Sequence, residues 1–95
     1  MSAKKRLEFS RSSIADIESI KQYISTVNPR AAERVINRMI KVADHLVDFP
    51  MLGRIGRKAG TREIIVPEYP YLLVYRLTAS KVIIVTVAHQ SKKHL

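Results

Sequence analysis

The chain has 95 residues, 46% of them hydrophobic, which fits one globular domain, residues 1–95, around one small core and excludes a disordered chain. It has no cysteine, so disulfide and thiolate chemistry are excluded and a reducing cytosol is the expected setting. The net charge of +9 demands an anionic partner (nucleic acid, ribosome or acidic protein); no apolar run reaches signal-peptide or membrane-spanning length, so a soluble cytoplasmic protein with no membrane association is expected.

Residues 6–9 alternate polar and apolar and predict a short first strand. Ser13 is then the expected N-cap of a helix over residues 14–27, with Asp16 near its amide end. Ile17, Ile20, Ile24 and Val27 recur at steps of three and four and give that helix one apolar stripe. Asn28-Pro29 breaks and restarts the pattern, because Asn caps and Pro suits the first helical position. A second helix follows over residues 30–48, with Ala32, Val35, Ile36, Met39, Ile40, Ala43 and Leu46 as its buried face. So short a connection predicts an antiparallel helical hairpin. Pro50 ends the second helix. Beyond Gly60 the period changes to that of strands, at residues 62–66, 71–77 and 81–89, joined by short turns and therefore antiparallel. The predicted architecture is α+β: a short N-terminal strand and an antiparallel helical hairpin packed on a C-terminal antiparallel sheet. Ile17, Ile20, Ile24, Val35, Met39 and Leu46 should meet Leu72 or Leu73 and Val74 there.

The stretch GRIGRKAGTRE, residues 53–63, holds all three glycines of the chain. It is not a P-loop, which needs a strand before it and a helix after it; here a helix precedes and a strand follows. The glycines are read as turn residues that let the chain leave a helix and enter a strand. Arg54, Arg57, Lys58 and Arg62 require more, because guanidinium groups match carboxylate and phosphate in bidentate fashion. They are either a contact surface or a solvated charged loop with Arg62 paired to Glu63 or Glu68.

The run NPRAAERVINRMI, then LVDFPMLGRIGRKAGTREIIVPEYPYLLVYRL, then VIIVTVAHQ resembles the RelE/ParE toxin superfamily, on its ParE side. These are toxins of type II toxin–antitoxin modules, also described as plasmid stabilisation proteins. The most specific segments are Asn28-Pro29 with Ala31-Ala32, Phe49-Pro50 leading to Gly53-Arg54, Gly60-Thr61-Arg62-Glu63, Pro70-Tyr71 leading to Val74-Tyr75-Arg76, and His89-Gln90. The resemblance spans residues 9–90 and implies the same strand, hairpin and sheet. It implies a growth-inhibiting toxin that blocks DNA gyrase, held in a hetero-oligomer by a cognate antitoxin with an acidic or amphipathic C-terminal segment. It also implies an alternative, because RelE-type toxins of this fold cut messenger RNA in the ribosome.

RNA cleavage needs a base, an acid and cations on the phosphate. The candidates are His89, Arg62, Arg76 and Arg54. The tail, residues 90–95, brings Lys92, Lys93 and His94 but no tyrosine, whereas RNA-cutting relatives usually keep a Tyr or His-Tyr group, or several basic residues, there. His45, His89 and His94 are scattered, Asp44 and Asp48 suit a solvated helix face, and no metal-ligand spacing occurs; no metal and no cofactor are expected. The non-enzymatic reading needs only surfaces, with Arg54, Arg57, Lys58, Arg62, Lys92 and Lys93 as the partner-binding set.

Overall fold

The computed structural model describes residues 4–92. The elements run β1 (Arg6–Phe9), α1 (Arg11–Ser25), α2 (Pro29–Asp48), β2 (Arg54–Ile55), β3 (Arg62–Ile65), β4 (Tyr71–Leu77), β5 (Lys81–His89) and a short 3-10 turn, Gln90–Lys92. The strands form one five-stranded sheet in the order β1-β5-β4-β3-β2. β2 to β5 pair antiparallel, as short connections dictate. β1 lies parallel to β5, with Arg6 opposite Lys81 and Phe9 opposite Ile84, so the sheet is mixed. The helical hairpin covers one face.

α2 forms as its sequence implies. The Asn28 side chain accepts from the Arg30 and Ala31 amides at 3.1 and 3.2 Å, and Pro29 opens the helix. Its buried residues are Ala32, Val35, Met39, Val42, Ala43 and Leu46. Ile40, expected in that set, is 43% exposed and Ile36 is half-buried. The stripe follows residues 32, 35, 39, 42 and 46, and each step of one residue turns a side chain by about 100°, which carries Ile40 away from Met39.

α1 departs further. Ser10, not Ser13, is its N-cap: the Ser10 hydroxyl accepts from the Ser13 amide at 3.1 Å and donates to the Val85 carbonyl at 2.9 Å. Val85 is the extra residue of a β-bulge, since Val74 pairs with Thr86 while Tyr75 pairs with Ile84. The carbonyl left without a ladder partner is thus met by the helix cap. Ser13 is fully buried one turn further in. Asp16 does not serve the helix dipole but accepts from the Val87 amide at 3.0 Å. α1 ends at Ser25, and Val27, expected at the end of its stripe, is 86% exposed.

The core joins Val35, Met39, Val42, Ala43 and Leu46 of α2 to Tyr71, Leu73 and Tyr75 of β4 and to Val82, Ile84 and Val87 of β5; Ile17, Ile20 and Ile24 close its flank. Strand alternation selects Leu73 for the helix side and turns Leu72 and Val74 to the other face, which corrects the expected place of Val74.

Candidate functional site

The stretch 53–63 is more than a connector. Arg54–Ile55 is a strand, with Arg54 opposite Glu63 and Ile55 opposite Arg62. The Gly56 amide donates to the Thr61 carbonyl at 2.8 Å, and the Thr61 hydroxyl donates to the Lys58 carbonyl at 2.7 Å. Gly60 turns the tip with φ +79°, where a side chain would be strained. Gly53 is required for a different reason: a Cβ there would stand 2.6 Å from the Tyr75 hydroxyl oxygen. That hydroxyl accepts from the Gly53 amide at 2.9 Å and donates to the Pro50 carbonyl at 2.7 Å. Tyr75, itself fully buried, therefore pins the entry of the loop to the core. Sequence reading puts Tyr75 on a strand, over residues 71–77, but overlooks this pin. The available signal is that a buried tyrosine must find a partner for its hydroxyl.

The cations of the loop are tied to it. Adjacent strand residues face opposite sides of a sheet, so Arg62 and Glu63 cannot pair. Glu63 instead meets its cross-strand neighbour, with Arg54 Nη2 3.4 Å from Oε1, and its Oε2 accepts from the Arg57 amide at 3.1 Å. Glu63 is only 6% exposed, and Arg54 and that amide offset the cost of its burial. Arg62 Nη1 donates to the Gly53 carbonyl at 2.6 Å and, at the limit of a hydrogen bond, to the Met51 carbonyl at 3.5 Å. Glu68 pairs with Arg38 at 2.9 Å. Arg54 keeps an exposed side chain, and Arg57 and Lys58 are exposed residues. Of the remaining partner-binding set, Lys93 and the side chain of Lys92 lie outside the described residues, as does His94.

The four candidates for RNA cleavage do not converge. His89 pairs with Tyr71 and Arg62 with Tyr75, on strands flanking opposite sides of β4. Four residues of strand put them about 13 Å apart along the sheet alone. Arg76 follows Tyr75 and so faces away from the helices, where Arg54 and Glu63 also lie. The His89 ring meets Tyr71 edge-on, at 5.5 Å between centroids, beside a cleft of about 520 Å³ lined by Ser19, Ile20, Tyr23, Tyr71 and Ser91. Its Nδ1 accepts from the Ser91 amide at 3.2 Å and lies 2.7 Å from the Ser91 hydroxyl. Burial raises the Tyr71 hydroxyl pKa, helped by Tyr23. Burial also raises that of Tyr75, against smaller opposing effects of the Gly53 amide and Arg62, so both are neutral at physiological pH. Among the described residues no group of three His, Asp or Glu side chains gathers to hold a metal, and no helix is long and apolar enough to cross a membrane.

A helical hairpin on one face of a five-stranded mixed sheet is the architecture of the RelE/ParE-like type II toxins. The family model described as "ParE toxin of type II toxin-antitoxin system, parDE" matches residues 7–94, and the chain belongs to that family. It is 34% identical over 87 residues to toxin Y4kP of Sinorhizobium fredii, covering 92% of this chain and 90% of that protein. It is 32% identical over 79 residues to toxin RelE2 of Caulobacter vibrioides, covering 83% and 88%. The fold superposes with a TM-score of 0.80 on a chain of the chromosomal ParDE toxin–antitoxin system of P. aeruginosa, at 18% identity over 90% of this chain and 96% of that one.

Proposed function

We propose that this toxin arrests growth by protein contact, with DNA gyrase as its target, and that a cognate antitoxin carrying an acidic or amphipathic segment neutralises it. The observation that carries the reading is the dispersal of His89, Arg62, Arg76 and Arg54. A scissile phosphate must lie within hydrogen-bond reach of its base and of its cations together, and these groups sit at opposite ends and on both faces of the sheet. Arg54, Arg57 and Lys58 are instead exposed on one hairpin, where carboxylates of a protein partner can meet them. Messenger RNA cleavage on the ribosome is the second reading, favoured by the 32% identity to a protein named toxin RelE2.

The test is induction of the toxin in cells beside supercoiling assays with purified gyrase. Filamentation with an SOS response and inhibited supercoiling are expected, and His89→Ala should retain both. Translation arrest with mRNA cut in the ribosomal A site, abolished by His89→Ala, would replace this reading with the second. Loss of a general acid or base costs about 10²–10⁴-fold in rate, so the two outcomes are well separated.

A further inference from the structure

We infer that Phe49, Met51, Leu52 and Ile55 form a docking shoulder for the toxin's target, and that the target presents there a protein surface with an apolar recess rimmed by carboxylates. This deepens the proposed function and rests on its reading of a toxin that acts by protein contact. The four side chains are 60%, 65%, 60% and 80% exposed. A turn has no need of them, since polar residues reverse a chain equally well. The exposed apolar side chains Ile14, Tyr23, Val27 and Ile40 are by contrast spread along the hairpin of helices, and Ile65 stands at the far end of β3.

The shoulder is also held in shape. The Leu52 amide donates to the Phe49 carbonyl at 3.1 Å. Tyr75 fixes Pro50 and Gly53, and Arg62 reaches the Gly53 and Met51 carbonyls. Ile55 stands opposite Arg62 in the ladder, so this one guanidinium joins the turn to the strand. Backbone anchored at every second residue presents its side chains in one arrangement before a partner arrives, which lowers the ordering cost of binding.

The chemistry favours protein over nucleic acid. Of the four, only Phe49 has a π-face on which a base could stack, whereas a stacking platform needs several. Arg54 is engaged with Glu63 on the face of β2 opposite Ile55, and Arg62, across from Ile55, holds backbone, so the loop sets cations next to apolar side chains along its length. The net charge of +9 sets the sign of the complementary rim as acidic.

The test is the double variant Leu52→Ser with Ile55→Ser, beside the control Val27→Ser with Ile40→Ser, all four at exposed positions. Each is purified with its antitoxin, separated and refolded, and its melting compared with the parent. The shoulder variant should melt as the parent does and bind the antitoxin within a few-fold of the parent. It should need about tenfold or more protein for growth arrest and for gyrase inhibition, while the control matches the parent. Unchanged arrest by the shoulder variant overturns the inference, as does equal weakening by the control. Loss of antitoxin binding with arrest unchanged assigns the shoulder to the antitoxin and also overturns it. If the parent cuts mRNA on ribosomes and leaves gyrase untouched, the proposed function fails. The docking inference, which rests on that reading, falls with it, whereas a parent that inhibits gyrase and a shoulder variant that inhibits it equally well overturn the docking inference alone.

Discussion

Replacing Tyr75 by Phe should release the loop from the core without emptying the core. The ring stays; only the hydroxyl goes, and with it the bonds to the Gly53 amide at 2.9 Å and the Pro50 carbonyl at 2.7 Å. Gly53 is buried, so its amide is left unpaired away from water. Pro50 is half-buried and can recover a partner from solvent. One unsatisfied buried donor costs about 1–3 kcal/mol, and the second bond adds at most about 1 kcal/mol. A loss of about 2 kcal/mol is a large part of the roughly 5–14 kcal/mol expected for a domain of this size. At about 4–8 °C per kcal/mol the melting temperature should fall by about 8–16 °C. Calorimetry measures that fall, and hydrogen exchange should show the Gly53 amide opening faster than amides of β4 and β5. A fall of less than about 3 °C, with Gly53 exchange unchanged, would refute the claim that Tyr75 pins the loop.

Gly53→Ala attacks the same contact from the other side. Its Cβ would lie 2.7 Å from Tyr75 Cε1 and 2.8 Å from the Glu63 carbonyl oxygen, and such overpacking should cost about 1–3 kcal/mol in denaturant titration. Alkaline titration gives a separate check. The Tyr75 pKa is raised above its ordinary 10.0 by burial, so the folded state holds that proton more tightly than the unfolded. This contribution is complete below about pH 10 and is lost as pH rises through the folded pKa, so stability should fall there, less steeply in Tyr75→Phe. Leu46→Asp places an unpaired charge at a fully buried core position and should leave no cooperative melting transition. Arg54→Ala leaves Glu63 without that partner and should lower stability by about 1 kcal/mol or less, the Arg54 side chain being largely exposed. Adding Glu63→Gln should restore it, and toxicity of the restored double variant then measures Arg54 as a contact rather than as a support.

Much of the fold was legible because local rules and tertiary packing agree. Asn28-Pro29 caps α2 in the sequence and in the structure alike, and the apolar runs at residues 71–77 and 81–89 can pair only through a short turn. Disagreement begins where a distant element supplies the partner. Ser13 and Asp16 carry helix-start chemistry, but the bulge at Val85 draws the cap to Ser10, and the Val87 amide takes Asp16. Nothing near residue 13 announces a bulge more than 70 residues later. The pairing of β1 with β5 is equally non-local. In the loop, composition revealed the clustered cations but not which of them the protein itself consumes. That depends on β2, whose two residues are too short for periodicity to reveal. Once Arg54 stands opposite Glu63, alternation alone separates Arg62 from Glu63.

The division of labour within the loop follows from these pairings. A guanidinium that holds its own backbone through Nη1 is fixed in place, with Nε and Nη2 left to donate. Arg62 is the plainest case, because moving its guanidinium would free the Gly53 carbonyl at 2.6 Å and loosen the hairpin. An RNA-cutting site made from these residues would need Arg76 to act from the other face and His89 to cross a separation of about 13 Å along the strand. A docking surface needs none of those movements. Arg54, Arg57 and Lys58 are exposed as folded, as are Phe49, Met51, Leu52 and Ile55, and Tyr75 with Arg62 holds the backbone between them. The internal bonds of the loop make it a rigid surface, and it is rigidity that a protein contact of small area most requires.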